Sequence, residues 1–354
     1  MKIVVCTGEI NKFASSHNAI RSLRKLGHTV ITVGGFEGAD IPILPKCNWP
    51  KRYDYNELKM LVGDRWKDID LILQLEPGFW LTGENRTGVP STAWVSDIHR
   101  GGRPFRDLIV EGNFNYVFVS FKYYFPHFKI KGIFPYWLPF GYDTERVKDY
   151  NITPECDIAF VCESGINEED LKEPTFDTND SLNLYYKNVK DGYRYSSEYE
   201  YQERAELIYR LSKDFHIRIY GKCWNDDYAK LIQKGKITFN RSGQYDTSFK
   251  NFELAGCKRL LLTNSVPHLD TLFPHDSVLY YNPYYTHKLP HLFDLDYEQV
   301  KSKVEFMLGN EKLRLWRAAK LYHWVKEHHS MESRMLKLID VVGGNTTFKK
   351  EQWN

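Results

Sequence analysis

Residues 1–33 have the sequence MKIVVCTGEI NKFASSHNAI RSLRKLGHTV ITV, which contains one strand–helix–strand unit. The apolar run at residues 2–7 predicts a buried strand. From Ser15 to Leu26, apolar residues recur at the spacing of one helix face, and Gly27 follows as a helix terminator. Residues 29–33 are rich in β-branched side chains and predict a second strand. Two strands joined through a helix are expected to lie parallel in one sheet.

The same alternation continues along the chain in two series. The first series has predicted strands at 71–75, 92–95 and 116–119, with helices near 55–66 and after Pro104. A polar stretch at 143–155 separates it from the second series, whose predicted strands lie at 157–161, 216–220, 259–263 and 278–281, with helices at 203–211 and 248–255. Further helices are predicted up to residue 310, over 311–329 and over 331–342. This pattern predicts an α/β protein with two Rossmann-like, doubly wound domains that face a cleft.

The predicted domains are residues 1–145 and residues 146–330, followed by a C-terminal helix and tail at 331–354 that can return to the first domain. Residues 163–200 interrupt the second domain, and they are too polar for a core and too long for an ordinary loop. We expect an insertion or a flap there.

Composition restricts the class of protein. With 354 residues and 42% hydrophobic side chains, the chain can form large cores, which excludes a wholly disordered protein. The net charge of +2 provides no overall attraction to nucleic acid, although a local basic groove is compatible with it. No window has the roughly 20 apolar residues of a membrane span, so we expect no integral membrane contact. Six scattered cysteines without a CxxC pair favour a thiol-reduced, cytoplasmic protein.

Two loops after predicted strands are candidate ligand sites. The loop from Gly8 to Ser15 ends at a helix N-terminus, where free N–H groups suit a phosphate or a sugar oxygen. It lacks GxGxxG, and simple helix capping by Ser15 or Ser16 is the alternative. In the second loop region, Glu253 lies on a predicted helix that ends at Gly256 before an apolar strand. Its carboxylate can bind the paired hydroxyls of a ribose, and stabilisation of the helix dipole is the alternative.

This second region resembles the donor-binding signature of GT-B glycosyltransferases, in particular the spore-maturation-protein-like branch of the group 1 enzymes. The helix of that branch has the approximate pattern Arg-x-Phe-Glu-x-x-Ala-x-Gly. Residues 250–256, KNFELAG, share its first part with Lys in place of Arg, and an Ala and a Gly follow the Glu at a shorter spacing. The resemblance extends over most of the chain, through residues 19–30, 201–208, 219–224, 236–242 and 262–273.

The resemblance implies roles for individual residues. The carboxylate matching Glu253 holds the nucleotide ribose, and basic side chains neutralise the donor diphosphate. The basic candidates here are Lys222, Arg204 and Arg241. Further donor-binding candidates in the same region are Asn240, Ser242, Asp246 and Ser248. Many retaining members carry a second Glu eight residues before the first; Tyr245 occupies that position here, and Asp246 is the neighbouring carboxylate that can replace it.

The first domain offers a candidate acceptor site after the strand at 92–95. Asp97, His99 and Arg100 precede a flexible glycine pair, and either Asp97 or His99 can act as a general base toward an acceptor hydroxyl. The alternative is a structural role, with Asp97 capping the loop and His99 on the surface. Asp68 and Asp70 have the Asp-x-Asp spacing of a metal-binding pair, which in metal-dependent glycosyltransferases of the other fold stands at the end of an apolar strand. Here the pair precedes the predicted strand at 71–75, so helix termination or loop solvation is the better explanation.

The resemblance therefore implies a metal-independent hexosyl- or pentosyltransferase without a cofactor, which uses a nucleotide-sugar, expected to be UDP-linked, as co-substrate. The acceptor stays open between a small molecule, a glycan, a protein and modified DNA, because fold does not determine function. One alternative is therefore an enzyme acting on hydroxymethylated bases of phage DNA, for which the basic residues of the first domain argue. The other alternative is a non-catalytic nucleotide-sugar-binding module.

Overall fold

In the computed structural model, the described residues are 1–8, 15–43, 51–75, 79–95, 103–122, 125–161, 175–176, 199–220, 227–242, 247–282 and 297–344. The chain divides into two units. Unit 1 consists of Met1–Gly141 and Ser330–Asn354, and unit 2 consists of Tyr142–His329. The segment 163–200, expected to be an insertion or flap, lies outside the described residues except for 175–176 and 199–200.

Unit 1 is built on a seven-stranded parallel sheet. Its strands are β1 (Lys2–Cys6), β2 (Thr29–Gly34), β3 (Ile41–Pro42), β5 (Leu71–Leu75), β7 (Ser91–Val95), β8 (Tyr116–Val119) and β9 (Tyr136–Trp137), in the order β3-β2-β1-β5-β7-β8-β9. A separate parallel pair joins β4 (Lys51–Asp54) to β6 (Phe79–Thr82). The apolar residues of β1 are fully buried, as expected for a central strand with both faces covered.

The helices of unit 1 that precede residue 142 are α1 (Ser15–Lys25), α2 (Tyr55–Val62), α3 (Arg103–Glu111) and α4 (Phe125–Lys129), with a 3-10 helix at Gly63–Asp68. Helix α2 begins where Asp54 accepts hydrogen bonds from the backbone N–H groups of Asn56 (2.7 Å) and Glu57 (2.8 Å). The Glu57 carboxylate in turn accepts from Asp54 N, which completes a capping box.

Unit 2 is built on a six-stranded sheet. Its strands are β10 (Cys156–Val161), β11 (Thr175–Phe176), β12 (Ile217–Tyr220), β13 (Gly235–Asn240), β14 (Leu260–Asn264) and β15 (Val278–Tyr281), in the order β11-β12-β10-β13-β14-β15. All neighbours pair in parallel except the edge strand β11. The helices are α5 (Tyr199–Asp214), α6 (Asp227–Gln233), α7 (Phe249–Gly256), α8 (Leu269–Leu272), α9 (Tyr297–Gly309) and α10 (Glu311–His328).

The last helix, α11 (Met331–Val342), belongs to unit 1 and packs against α1. Lys25 of α1 forms an ion pair with Glu332 of α11 at 3.2 Å. Arg334 is buried and donates from Nε to the Phe140 carbonyl oxygen at 3.1 Å, and this burial lowers its pKa to about 9. Unit 1 is therefore completed by a segment that follows all of unit 2 in the sequence.

The parallel sheets with helices between successive strands confirm the predicted α/β class. Strand β13 was not predicted, although it lies in the centre of its sheet between β10 and β14. The two-residue strands β3, β9 and β11 were also not predicted, because two residues show no periodicity.

Candidate active site in unit 2

The best-defined candidate site lies where β13 and β14 end and α7 begins. Ser248 caps α7, and its hydroxyl accepts a hydrogen bond from Lys250 N at 3.3 Å. The helix ends at Gly256, where a Cβ atom would lie only 2.6 Å from Cε2 of Tyr142. The absence of a side chain at Gly256 therefore allows α7 to pack directly on the Tyr142 ring.

Glu253 lies in the second turn of α7 with its side chain partly buried. Burial raises the pKa of the Glu253 carboxyl from 4.5 to about 7. The positive charges of Lys250 and Arg146 act in the opposite direction, and the negative charge of Asp143 adds to the increase. The Tyr228 side chain also lowers the pKa of Glu253. The result is a carboxyl group that changes protonation state near neutral pH.

A buried cluster of polar side chains connects α7 to the sheet, and we call it the asparagine network (Asn240, Ser242, Asn251, Thr263 and Asn264). Asn251 of α7 is its centre. Its Oδ1 accepts from Asn240 Nδ2 at 2.7 Å and from the Thr263 hydroxyl at 3.2 Å, and its Nδ2 donates to Ser242 Oγ at 2.9 Å. All five residues are buried.

The network also fixes the backbone after β13. Asn264 Oδ1 accepts from Ser242 N at 2.7 Å, and Asn264 Nδ2 donates to the Ser242 carbonyl oxygen at 2.9 Å. One asparagine therefore satisfies both backbone groups of Ser242, as a neighbouring strand would. The backbone after β13 is held to β14 without further strand pairing.

The predicted donor-binding residues lie in different parts of this arrangement. In the described contacts, the side chains of Asn240 and Ser242 bond to Asn251, and Ser248 caps α7. Arg241 is buried and donates from Nη1 to the Ser242 carbonyl oxygen at 2.9 Å. Arg204 of α5 places its guanidinium 5.4 Å from the centre of the Phe160 ring. Lys222 and Asp246 lie outside the described residues.

In unit 1, the predicted phosphate loop is described only at its two ends, Gly8 and Ser15. Ser15 is the first residue of α1, and Gly8 follows β1 after Thr7, whose N–H donates to the Val33 carbonyl oxygen at 3.1 Å. The predicted acceptor residues Asp97, His99 and Arg100 lie outside the described residues.

Sequence reasoning missed the groups that surround Glu253. Arg146 and Asp143 precede it by more than a hundred positions, and Tyr228 comes from the unpredicted helix α6. Asn251 and Asn264 were also missed, although a usable signal existed: each is an amide residue at a helix start or strand end beside an otherwise apolar run.

Asp68 and Asp70 bind Lys2 at the start of β1. The Lys2 ammonium pairs with Asp68 at 2.9 Å, and Lys2 N donates to Asp70 at 2.6 Å. Among the described residues, no three His, Cys, Asp or Glu side chains lie close enough together to hold a metal ion. Every helix in the described parts of the chain is too short or too polar to span a bilayer.

Residues 194–340 match the family model of glycosyl transferase-like proteins. No curated protein matches the sequence. Solved structures resemble this one over almost their whole length. One is sucrose-phosphate synthase from Thermosynechococcus elongatus, at 9% identity, with 98% of this chain and 99% of that chain covered and a TM-score of 0.57. Another is a glycosyltransferase from Rickettsia africae, at 12% identity, with 97% of this chain and 98% of that chain covered and a TM-score of 0.56.

A third similar structure is HepE from Anabaena in complex with UDP and glucose, at 9% identity, with 97% of this chain and 100% of that chain covered and a TM-score of 0.58. At these identities the likeness concerns the fold. The predicted GT-B architecture is thus confirmed. The chain has the GT-B fold, with two Rossmann-like domains, and the match to the glycosyl transferase-like family model lies in residues 194–340.

Proposed function

We propose that the protein transfers a sugar from a UDP-sugar to an acceptor hydroxyl, as a metal-independent enzyme of the spore-maturation-protein-like branch. The observation that carries this proposal is the position of Glu253 on α7, near the carboxyl ends of β13 and β14. Ligands of parallel α/β sheets bind at this edge. The structure of HepE with UDP and glucose, which has the same fold, supports the choice of nucleotide.

In this proposal Glu253, when ionised, accepts hydrogen bonds from the two ribose hydroxyls. The diphosphate carries negative charge that increases on the leaving group as the bond to the sugar breaks. Lys222, Arg204 and Arg241 are the cations assigned to it, together with backbone N–H groups of unit 2. Asp97 or His99 takes the proton of the acceptor hydroxyl.

Ligand binding tests the proposal directly. Thermal stability is measured with UDP, GDP, ADP and CDP for the wild type, for Glu253→Ala and for Glu305→Ala, a matched control at an exposed carboxylate of the same unit. A ligand at 100 times its dissociation constant stabilises the folded state by about 2.7 kcal/mol. We expect UDP alone to stabilise the wild type and the control, with the effect lost in Glu253→Ala.

A protein that no nucleotide stabilises, or a Glu253→Ala variant that binds UDP normally, would contradict the assignment. Activity needs a second measurement, the release of UDP from UDP-sugars with water or an added alcohol as acceptor. Tight binding of UDP-sugars without any release of UDP would instead indicate a non-catalytic binding module.

A further inference from the structure

The turn after α4 in unit 1 has a well-defined geometry. Gly132 N donates to the Lys129 carbonyl oxygen and Ile133 N donates to the Phe128 carbonyl oxygen, each at 3.0 Å. Gly132 has a backbone φ of 74°, a value that residues other than glycine rarely adopt. These two bonds form the Schellman arrangement that ends many helices. We call residues 129–134 the 129–134 turn.

This cap determines which side chains face the core. In a Schellman cap, the residue after the left-handed glycine packs against the last turn of the helix. Accordingly Phe128 is buried, and Ile133 packs against the same apolar cluster. The remaining large apolar side chains of the turn point outward: Ile130 is 80% exposed and Phe134 is 64% exposed. Neither fills the core of unit 1.

The charged residues that neighbour these two side chains in the sequence are basic. Lys129 and Lys131 flank Ile130, and both are exposed. The sequence from residue 112 to residue 142 contains no Asp or Glu. The nearest acidic residues on either side in the sequence are Glu111, which pairs with Arg52 at 3.3 Å, and Asp143, which is buried.

Two exposed apolar side chains beside two lysines match the chemistry of a lipid bilayer surface with anionic headgroups. Apolar side chains enter the boundary between headgroups and acyl chains, while ammonium groups contact lipid phosphates. Nucleic acid phosphates would also attract the lysines, but they offer no apolar region for Ile130 and Phe134. We propose that the 129–134 turn attaches unit 1 to an anionic membrane surface, an interaction separate from the proposed transfer reaction.

Vesicle binding tests this proposal without any measurement of activity. The full chain is sedimented with vesicles of phosphatidylcholine, or of phosphatidylcholine and phosphatidylglycerol in equal amounts. The variants are Ile130→Ser with Phe134→Ser, and Lys129→Ala with Lys131→Ala. The matched control is Met60→Ser with Leu61→Ser, which removes two exposed apolar side chains from α2 of the same unit.

We expect the wild type and the control to bind the anionic vesicles and to bind the neutral vesicles weakly. Each lysine removed should weaken partitioning about fivefold, and the joint loss of Ile130 and Phe134 should weaken it by more than about tenfold. Because all four side chains are exposed, the thermal stability of both variants should stay close to that of the wild type.

Three results would overturn the proposal. The first is equal binding to neutral and anionic vesicles, and the second is unchanged binding of the Ile130→Ser, Phe134→Ser variant. The third is the absence of vesicle binding together with binding to duplex DNA that weakens when the two lysines are removed. That last result would identify the 129–134 turn as a nucleic acid contact.

Discussion

At the scale of a single residue, Glu253 should make the stability of the protein depend on pH. Its pKa is about 7 in the folded state and 4.5 in an ordinary exposed carboxyl, so between these values the folded state holds a proton that the unfolded chain has lost. The free energy of unfolding should therefore fall as pH rises from about 4.5 to about 7. The loss is on the order of 3 kcal/mol.

Glu253→Gln tests this prediction, because a neutral amide of the same shape has no charge to bury. Urea unfolding at pH 5 and pH 8 should show that the variant is more stable than the wild type at pH 8 but not at pH 5. An equal dependence of unfolding on pH in both proteins would show that Glu253 is not the responsible group.

Donor binding should depend on the same carboxyl in the opposite direction. If the ionised form of Glu253 accepts the ribose hydroxyls, affinity should rise with pH through about 7, and binding should be about tenfold weaker at pH 6 than at pH 8. UDP-glucose is a better ligand for this calorimetric titration than UDP, whose terminal phosphate titrates near pH 6. Glu253→Gln should bind UDP-glucose more weakly, and with the same affinity at both pH values. If the affinity of this variant still rises with pH, Glu253 is not the group responsible.

The sequence alone was sufficient to place Glu253 on a helix, but it did not predict the protonation behaviour of its carboxyl group. The pattern of residues 250–256 predicts the helix and the position of this carboxylate on it through local spacing. Its pKa instead depends on Arg146, Asp143 and Tyr228, which are distant in the sequence. Burial and through-space charge follow from tertiary contacts, which no local pattern describes.

At the scale of secondary-structure elements, the asparagine network should hold α7 against the ends of β13 and β14. Asn251→Ala removes the partner of Asn240, Ser242 and Thr263, and leaves buried polar groups unsatisfied. We expect a loss of about 2–4 kcal/mol in the free energy of unfolding, since each such group costs about 1–3 kcal/mol. UDP affinity should fall as well, because Glu253 lies on the same helix.

Thr263→Val is the matched control for that prediction. It removes a single hydroxyl, whose bond to Asn251 is 3.2 Å long, and keeps the shape of the side chain. Denaturant unfolding should show a loss of about 1 kcal/mol for this variant. If Asn251→Ala is no more destabilising than Thr263→Val, the network does not anchor α7.

Strand β13 shows why one central element escaped prediction. Its sequence, GKITFN, alternates polar and apolar residues, whereas a central strand of a parallel sheet usually has an apolar run. The structure accommodates each polar residue in a separate way. Lys236 pairs with Asp157 at 2.9 Å, Thr238 is small enough to be buried, and Asn240 joins the asparagine network. Such partners come from other strands and helices, so the pattern of β13 alone could not indicate them.

At the scale of the whole molecule, each unit has its own sheet and its own apolar core. We therefore expect differential scanning calorimetry to resolve two unfolding transitions. Because the proposed UDP site lies in unit 2, UDP should raise the temperature of one transition and leave the other near its original value.

Core substitutions assign the two transitions. Leu207→Ala in unit 2 and Leu73→Ala in unit 1 each remove a buried side chain and should destabilise their own unit by about 2–5 kcal/mol. Leu207→Ala should lower the transition that responds to UDP, and Leu73→Ala the other one. A single transition that both substitutions lower equally would show that the units unfold together.

The position of α11 has a consequence for the order of events during synthesis. The ribosome makes residues 1–141 first, yet unit 1 also needs α11, which contacts α1 and binds the Phe140 carbonyl through Arg334. All residues of unit 2 leave the ribosome before α11 does, so the unit that is begun first is completed last. A nascent chain that stops after His329 would contain all of unit 2, while α1 would lack the helix that covers it.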